Sequence, residues 1–482
     1  MADITKATAE TLKEREARDR ALRAFNPSFD RYRILKDAYY GVGLFEHGAG
    51  LRRHPRESME NFRDRQALAY YWNYTGPIIN AYVDPIYKDE IRREYKDSEM
   101  FDSFLSDCDR AGTTYQDFCK DAALAAKLYG VAYVVVDNSN VMADSLGDAL
   151  SNRQLPFLKL VTPDMIKDWT IDVFGRLSSF SYTETIQTGR NSAEEITYAW
   201  TPKEWAISVN GKTTGGAHNL GKVPVVQWRA RNTKLTTIKP PSEFLSVAQA
   251  NYFLFQLCSW HTQILRDQAF NILTMPDTGS SDITVGTNNV LTYPPESNHT
   301  PAFISPAAAP AEMLTSQMDR TIQEMFRMSG LNSVIGLQTD QSKSGVAKQW
   351  DFETTNRRLA GFSARCEKAD AAIVALYELW SGDSIDYHCE YPKDFRINDV
   401  ADSLAEAQTA LELGFDTPTY KREVLKKVLE AYMPNLEPET YDAIVNEVED
   451  VANQAVRDNV YGAEGNEPVD AVNEGPEGGT AV

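Results

Sequence analysis

An α+β protein, mainly helical, is what three features of this 482-residue chain predict. Two runs alternate apolar and polar residues on either side of a Thr-Pro-Lys-Glu turn, and the second ends at Asn210-Gly211, a two-residue hairpin signal. The stretch from Ser242 to Leu273 contains no Gly or Pro and has the length of a long helix. From Leu359, a second long stretch continues through Phe362, Cys366, Ala369, Ile373, Leu376 and Trp380 in steps of three and four.

The elements follow in order. Residues 4–24 read as a charged helix in an N-terminal arm, 1–29. The block 31–87 is rich in Tyr and Arg and holds Trp72, and its half from Glu57 to Tyr87 reads as helix interrupted by Pro77 and Pro85. Asp102 to Leu128 is helical by the spacing of Tyr115, Phe118, Cys119, Ala122 and Ala126, with Gly112 as an interruption. Val131 to Val136 reads as a buried strand. Ile196, Tyr198 and Trp200, then Trp205, Ile207 and Val209, alternate as strands, and Pro224 to Trp228 continues the β-rich section. Residues 30–235 are therefore expected to form one mixed domain.

Ser242 is a plausible N-cap for the long helix, which Met275-Pro276 would close. The segment from Pro276 to Pro310 is rich in Pro and Gly, with β-like runs at Ile283–Val285 and Val290–Tyr293, and reads as an insert with its own small fold. Pro310 opens a helix to Ser329 with an apolar stripe of Leu314, Met318, Ile322 and Met325. A polar loop from Gly330 to Gly345 precedes the final long helix, whose seam fits packing inside one domain or a coiled coil. Helical segments at 399–413, 418–432 and 438–456 complete the ordered chain, and no internal repeat is present.

Charge is unevenly spread: residues 1–66 hold 14 Lys/Arg against 11 Asp/Glu, while the whole chain carries −20. No basic residue follows Arg457, and Glu464, Glu467, Asp470, Glu474 and Glu477 lie among Gly, Asn and Pro, a composition that predicts a disordered tail. A tight DNA binder normally shows a basic excess, because affinity comes from neutralising phosphates, so any DNA contact of this chain is expected to be loose. The polar N-terminus is neither a secretory signal nor an anchor, and the apolar run Gly130–Val136 is too short to cross a bilayer, so a soluble protein is expected. The five cysteines are scattered, as expected of buried reduced thiols, and His388-Cys389 alone does not make a metal site.

No catalytic constellation emerges. Gly216-Ala-His-Asn-Leu-Gly221-Lys222-Val223 has the spacing of a phosphate-binding loop, but Val223 replaces the magnesium-holding hydroxyl and Pro224 enters a strand. Asp137 ends a strand, where carboxylates hold metals in many enzymes, yet without a partner acid it reads as an exposed strand-end residue. The cluster Tyr70-Tyr71-Trp72-Asn73-Tyr74 could stack bases or pack against helices. No catalytic residue, cofactor or metal is expected.

Four segments carry a resemblance. Arg31-Tyr-Arg-Ile-Leu-Lys-Asp-Ala-Tyr-Tyr-Gly41 and the run Glu60 to Tyr71 are similar to the opening of tailed-bacteriophage portal proteins. Leu220-Gly-Lys-Val-Pro-Val-Val226 resembles the strand before the portal stem, and Ser344 to Phe352 the start of that family's long helix. With the helix–insert–helix–loop–helix layout, the likeness covers most of residues 30–380; the insert and the C-terminal helices match by position only.

The resemblance implies a portal fold with an N-terminal arm 1–29, a wing 30–241, stem helices 242–274 and 310–330 and a clip 275–309. A tunnel loop 331–344, a long wing helix with its connector 345–395, a crown 396–458 and an acidic tail 459–482 complete it. It implies a non-enzymatic homo-dodecameric ring at one capsid vertex of the virion, made in the host bacterial cytoplasm and not associated with a membrane. Such a head-tail connector initiates capsid assembly with scaffolding and major capsid proteins, docks the large terminase subunit, holds head-tail adaptor proteins, and passes double-stranded DNA without sequence preference in packaging and ejection. Gln338, Gln341, Lys343 and Lys348 are then candidates for the DNA-channel loop, although ordinary solvated loop residues have the same composition. The alternatives are a minor head or adaptor structural protein, or a packaging ATPase or nuclease.

Overall fold

Thr114 stops the chain from running straight into its first long helix: its hydroxyl accepts from the Asp117 amide and caps the N-terminus of Tyr115–Tyr129. Gly130 closes that helix at φ +91°, and a Cβ there would meet the Pro241 carbonyl at 3.1 Å. In this computed structural model the described residues are 31–138, 155–190, 192–234, 236–268, 272–277, 290–297, 299–304, 308–331, 345–395, 407–410, 417–433, 440–441 and 443–447. They fall in two compact units, Met1–Phe395 and Arg396–Val482.

The first unit opens with helices α1 (Arg31–Tyr40), α2 (Met59–Ala67) and α3 (Thr75–Asn80), followed by strand β1 (Arg92–Glu94). Helices α4 (Glu99–Ser106) and α5 (Tyr115–Tyr129) come next. The expected helix over 57–87 is thus two short helices separated by a non-helical stretch at 69–74, because the Tyr71 hydroxyl and the Tyr74 amide there bond to Asn251 of a distant helix instead of to their own turn. Likewise 102–128 divides around Gly112, which sits at φ +91°.

Strands β2 (Val131–Asp137), β3 (Phe157–Val161) and β9 (Val225–Arg229) form an antiparallel sheet in the order β3-β2-β9. A second antiparallel sheet runs β4 (Ile166–Ile171), β5 (Leu177–Gly189), β6 (Ser192–Trp200), β7 (Glu204–Val209) and β8 (Lys212–Ala217) in chain order. Asn210 and Gly211, at φ +50° and +80°, make the tight turn between β7 and β8.

Helix α6 (Leu245–Gln268) follows, then strands β10 (Ile272–Pro276), β11 (Val290–Tyr293) and β12 (Ala302–Ile304). The helix ends before the expected 273, because Ile272–Pro276 pairs in parallel with β11 and antiparallel with β12. The run Ile283–Val285 lies outside the described residues. Helices α7 (Ala309–Ser329) and α8 (Gly345–Ser381) and strand β13 (His388–Glu390), which pairs with β1, complete the unit.

Two cores meet at β2. Ala132, Val134 and Val136 point into a large helical core with Phe118, Ala122, Trp228, Phe362 and Ile373. Val131, Tyr133 and Val135 point the other way, into a core with Phe180, Tyr182 and Trp200 of the five-stranded sheet. This explains an unbroken Val run: a strand buried on both faces has no polar side. Trp380 of α8 packs against both cores and donates its indole N–H to the Val136 carbonyl at 2.8 Å. The seam Leu359 to Leu376 is consumed inside this unit.

In the second unit, α9 (Pro418–Tyr432) begins with Pro at its first turn, and Tyr420 donates to the Ala410 carbonyl at 3.0 Å. The regions 4–24, 438–439 and 448–482 lie outside the described residues.

Candidate functional site: a rooted helix pair

Helix α6 has 24 residues, a length of about 36 Å at about 1.5 Å per residue. From its start to Cys258 it buries Val247, Ala248, Leu254, Phe255 and Cys258, whereas Trp260 and Leu265 toward its end are exposed. In α7 the burial is reversed along the chain: Met313 is exposed, while Met318, Ile322, Met325 and Phe326 are buried. Tyr82 joins the two roots, packing its ring 5.7 Å from that of Phe244 and donating its hydroxyl to the Ser329 carbonyl. Farther out, Thr315 and His261 Nε2 lie 3.3 Å apart. The pair is therefore an antiparallel hairpin, rooted in the helical core, with β10–β12 between its outer ends.

Polar side chains on α6 fix the root. Asn251 is fully buried, and its Oδ1 lies within hydrogen-bond distance of the Tyr74 and Thr75 amides and of the Tyr71 and Thr75 hydroxyls. Its Nδ2 donates to the Trp72 carbonyl at 2.8 Å. Leaving those buried amides unpaired would cost about 1–3 kcal/mol each. One and five residues on, Tyr252 and Gln256 both donate to the Gly50 carbonyl, and Gln256 Oε1 accepts from the Arg52 amide. Buried Arg65 of α2 reaches Ser259 while making a two-pronged ion pair with Glu57 at 2.8 Å on each prong. Arg65 holds the Glu57 carboxyl below the usual carboxylate range.

The aromatic cluster 70–74 is part of this root. Tyr71 is bonded to Asn251 and its ring lies 4.0 Å from that of Phe45, and Tyr74 packs edge-on to Phe326. Tyr70 and Trp72 remain exposed.

The chain leaves α7 through Gly330 at φ +81° and enters α8 at Gly345. Thr355 and Arg358 of α8 donate to the carbonyls of Gly330 and Ser329, so the exit is clamped. From Gly345 to Thr355, α8 extends about 15 Å before that clamp. Gln338, Gln341 and Lys343 lie outside the described residues; Lys348 falls in the first turns of α8, but its side chain also lies outside them.

The phosphate-loop-like match opens on a strand. Gly216 is the fifth residue of β8, facing the Trp205 indole, where a Cβ would come within 2.9 Å of Nε1. Val223 is buried in the second core, and no helix follows it. Asp137 is half-buried, contrary to the exposed position expected, because it ends a strand enclosed on both faces. Burial pushes its carboxyl up to about 6, and it accepts from the Asn138 amide. A cavity of about 310 Å³ nearby is lined by Asp109, Asp121, Lys159, Tyr182 and Glu184 among others. Among the described residues no three His, Cys, Asp or Glu side chains are grouped to hold a metal ion, and no helix is long and apolar enough to cross a membrane.

No family model matches the sequence, and no curated protein matches it. Solved structures are similar over 78% of this chain and 96% of theirs. One is the neck of an empty GTA particle with C6 symmetry, at 13% identity and a TM-score of 0.40. Another is the neck of a native GTA particle with C12 symmetry, at 12% identity and a TM-score of 0.41. Neither likeness is strong enough to assign this chain to a family.

Proposed function

We propose that the chain is a non-enzymatic portal subunit of a tailed bacteriophage, forming a closed ring around the DNA channel at one capsid vertex. The observation that carries this reading is the rooted helix pair: two long helices fixed at one end by a buried polar network, with a strand-built tip between their outer ends. A ring built from such hairpins presents them around its axis, and heterologous contacts close it. The acidic balance of −20 supports passage without adhesion, since a wall sharing the sign of DNA repels phosphates. The loop between α7 and α8, with Gln338, Gln341 and Lys343, and Lys348 just after it at the start of α8, face the duplex in this reading. Terminase, scaffolding, capsid and head-tail adaptor proteins are the partners that the role requires.

Negative-stain electron microscopy of the purified protein tests the reading. Rings with an open axial hole are expected; monomers or flat shell fragments would overturn it. Deleting 338–342 is expected to leave rings intact and to impair packaging or retention of DNA. An ATPase assay with DNA present is expected to show no turnover.

A further inference from the structure

The segment Leu51–Arg63 gathers Arg52, Arg53, His54, Arg56 and Arg63, all exposed, in a chain of net charge −20. Its acids do little to neutralise them. Glu57 is occupied by buried Arg65, which binds both of its carboxylate oxygens. Asp64 pairs with Arg266 at 3.4 Å, which leaves Glu60 as the one uncommitted carboxylate within the segment. Among the described residues, Arg52, Arg53, Arg56 and Arg63 make no ion pair.

The loop is also held in place. The Arg65 guanidinium donates to the Arg52 carbonyl at 2.9 Å, and the Arg52 amide donates to Gln256 of α6 at 3.0 Å. The His54 amide donates to Glu57 Oε2, the Glu57 amide returns to the His54 carbonyl, and the Arg56 amide donates to His54 Nδ1. Ser58 caps α2 immediately afterwards. Folding thus fixes the backbone with a buried salt bridge and leaves the cationic side chains in solvent.

We propose that Arg52, Arg53, Arg56 and Arg63 form a phosphate-binding surface for the backbone of double-stranded DNA, separate from the loop between α7 and α8. Guanidinium groups carried on a fixed backbone suit phosphate oxygens. The remaining negative charge of the chain does not cancel the patch, because exposed charges beyond about 8 Å are screened at physiological salt. Met59 is the one large exposed apolar side chain in the segment, so it lacks the apolar centre of a protein–protein interface. Contacts of this kind read no sequence. The inference deepens the portal reading by naming a second contact with the same ligand, although its chemistry does not require a ring.

The test is binding of a fluorescein-labelled duplex by fluorescence anisotropy across a salt series, on the full-length protein. For R52Q/R53Q/R56Q/R63Q the slope of log affinity against log salt is expected to fall by about 3.6, since each phosphate contact contributes about 0.9. R56E/R63E, which keeps the hydrogen bond from Arg53 to the Glu57 carbonyl, is expected to weaken binding at least tenfold at 100 mM salt. K203Q/K212Q/K222Q/R231Q removes as many exposed positive charges elsewhere and is expected to leave the slope unchanged. Equal slopes for the wild type and both loop variants, or equal losses in the control, would overturn the proposal, as would a wild type with no measurable binding at low salt. Micrographs of the same samples separate the two readings: rings with unaltered DNA binding sink only this one, and loop-dependent binding without rings sinks only the portal assignment.

Discussion

Lys127 Nζ lies 2.5 Å from Glu243 Oε1, beneath the rings of Tyr82 at 4.5 Å and Phe362 at 4.8 Å. The lysine is 3% exposed, so the start of the chain into α6 is tied to α5 by a desolvated ammonium. Burial pulls the Lys127 pKa below its ordinary 10.5, and Glu243 pushes it back up. Glu243→Gln removes the counter-charge and is expected to destabilise the fold by about 2 kcal/mol at pH 7, since Glu243 is partly exposed. A folded-state pKa lowered below the unfolded one means that the unfolded chain holds the proton longer, so stability rises with pH between the two values. The deficit of the variant should therefore shrink between pH 7 and pH 9.5 in urea unfolding, and Lys127→Met should abolish that trend.

Asp370 gathers four donors in the core: the hydroxyls of Tyr115, Tyr387 and Tyr391 at 2.7–2.8 Å and the Arg93 guanidinium at 3.3 Å. This network links α5, α8, β1 and the stretch around β13. Asp370→Asn leaves Arg93 buried without its counter-charge and is expected to cost about 3–5 kcal/mol in urea unfolding. Arg93→Met in the same chain should recover part of the loss, the signature of a paired charge.

Asp137 carries the opposite sign of linkage. Its folded pKa is raised by burial to about 6 from 3.8, so the folded state takes up the proton first as pH falls. The penalty for ionising it is present above pH 6 and absent below pH 3.8. Asp137→Asn is expected to raise the thermal midpoint at pH 7.5 and to leave it unchanged at pH 3.5. An equal gain at both values would remove burial of the charge as its cause.

All five cysteines are free and buried. Burial pushes the Cys258 thiol up to about 11 and the Cys366 and Cys389 thiols up to about 12, which suppresses the reactive thiolate. No thiol is expected to react with Ellman's reagent at pH 8 within minutes, and five per chain are expected in denaturant. A stoichiometric fast phase would mean that one core opens on that timescale.

Much of the fold was legible because its signals were local. Val131–Val136, the Asn210-Gly211 hairpin, the stripe Met318–Ile322–Met325 and the seam Leu359–Leu376 all follow from spacing or turn chemistry within a few residues. Strand β5, though 13 residues long, was missed: its outer half, Glu184–Gly189, is polar and pairs with β6 along an exposed face. The stretch 69–74 was misread as helix because what holds it is Asn251, some 180 residues away. The root of the hairpin was equally hidden. A lone Asn amid the apolar residues of α6 was its one local sign, and three of its five partners are backbone groups that no sequence pattern marks. The basic loop was visible as charge, but its freedom to bind depends on Arg65 occupying Glu57, a matter of folding.

The two-faced burial of β2 has a consequence for dissecting the molecule. Cutting out the five-stranded sheet without β2 would strip Val131, Tyr133 and Val135 from its core, and cutting it out with β2 would bare Ala132, Val134 and Val136. Neither half can be transplanted without an exposed apolar surface, so both should melt in a single transition. Whatever load reaches the sheet passes to the helices behind it through β2 and through Trp380.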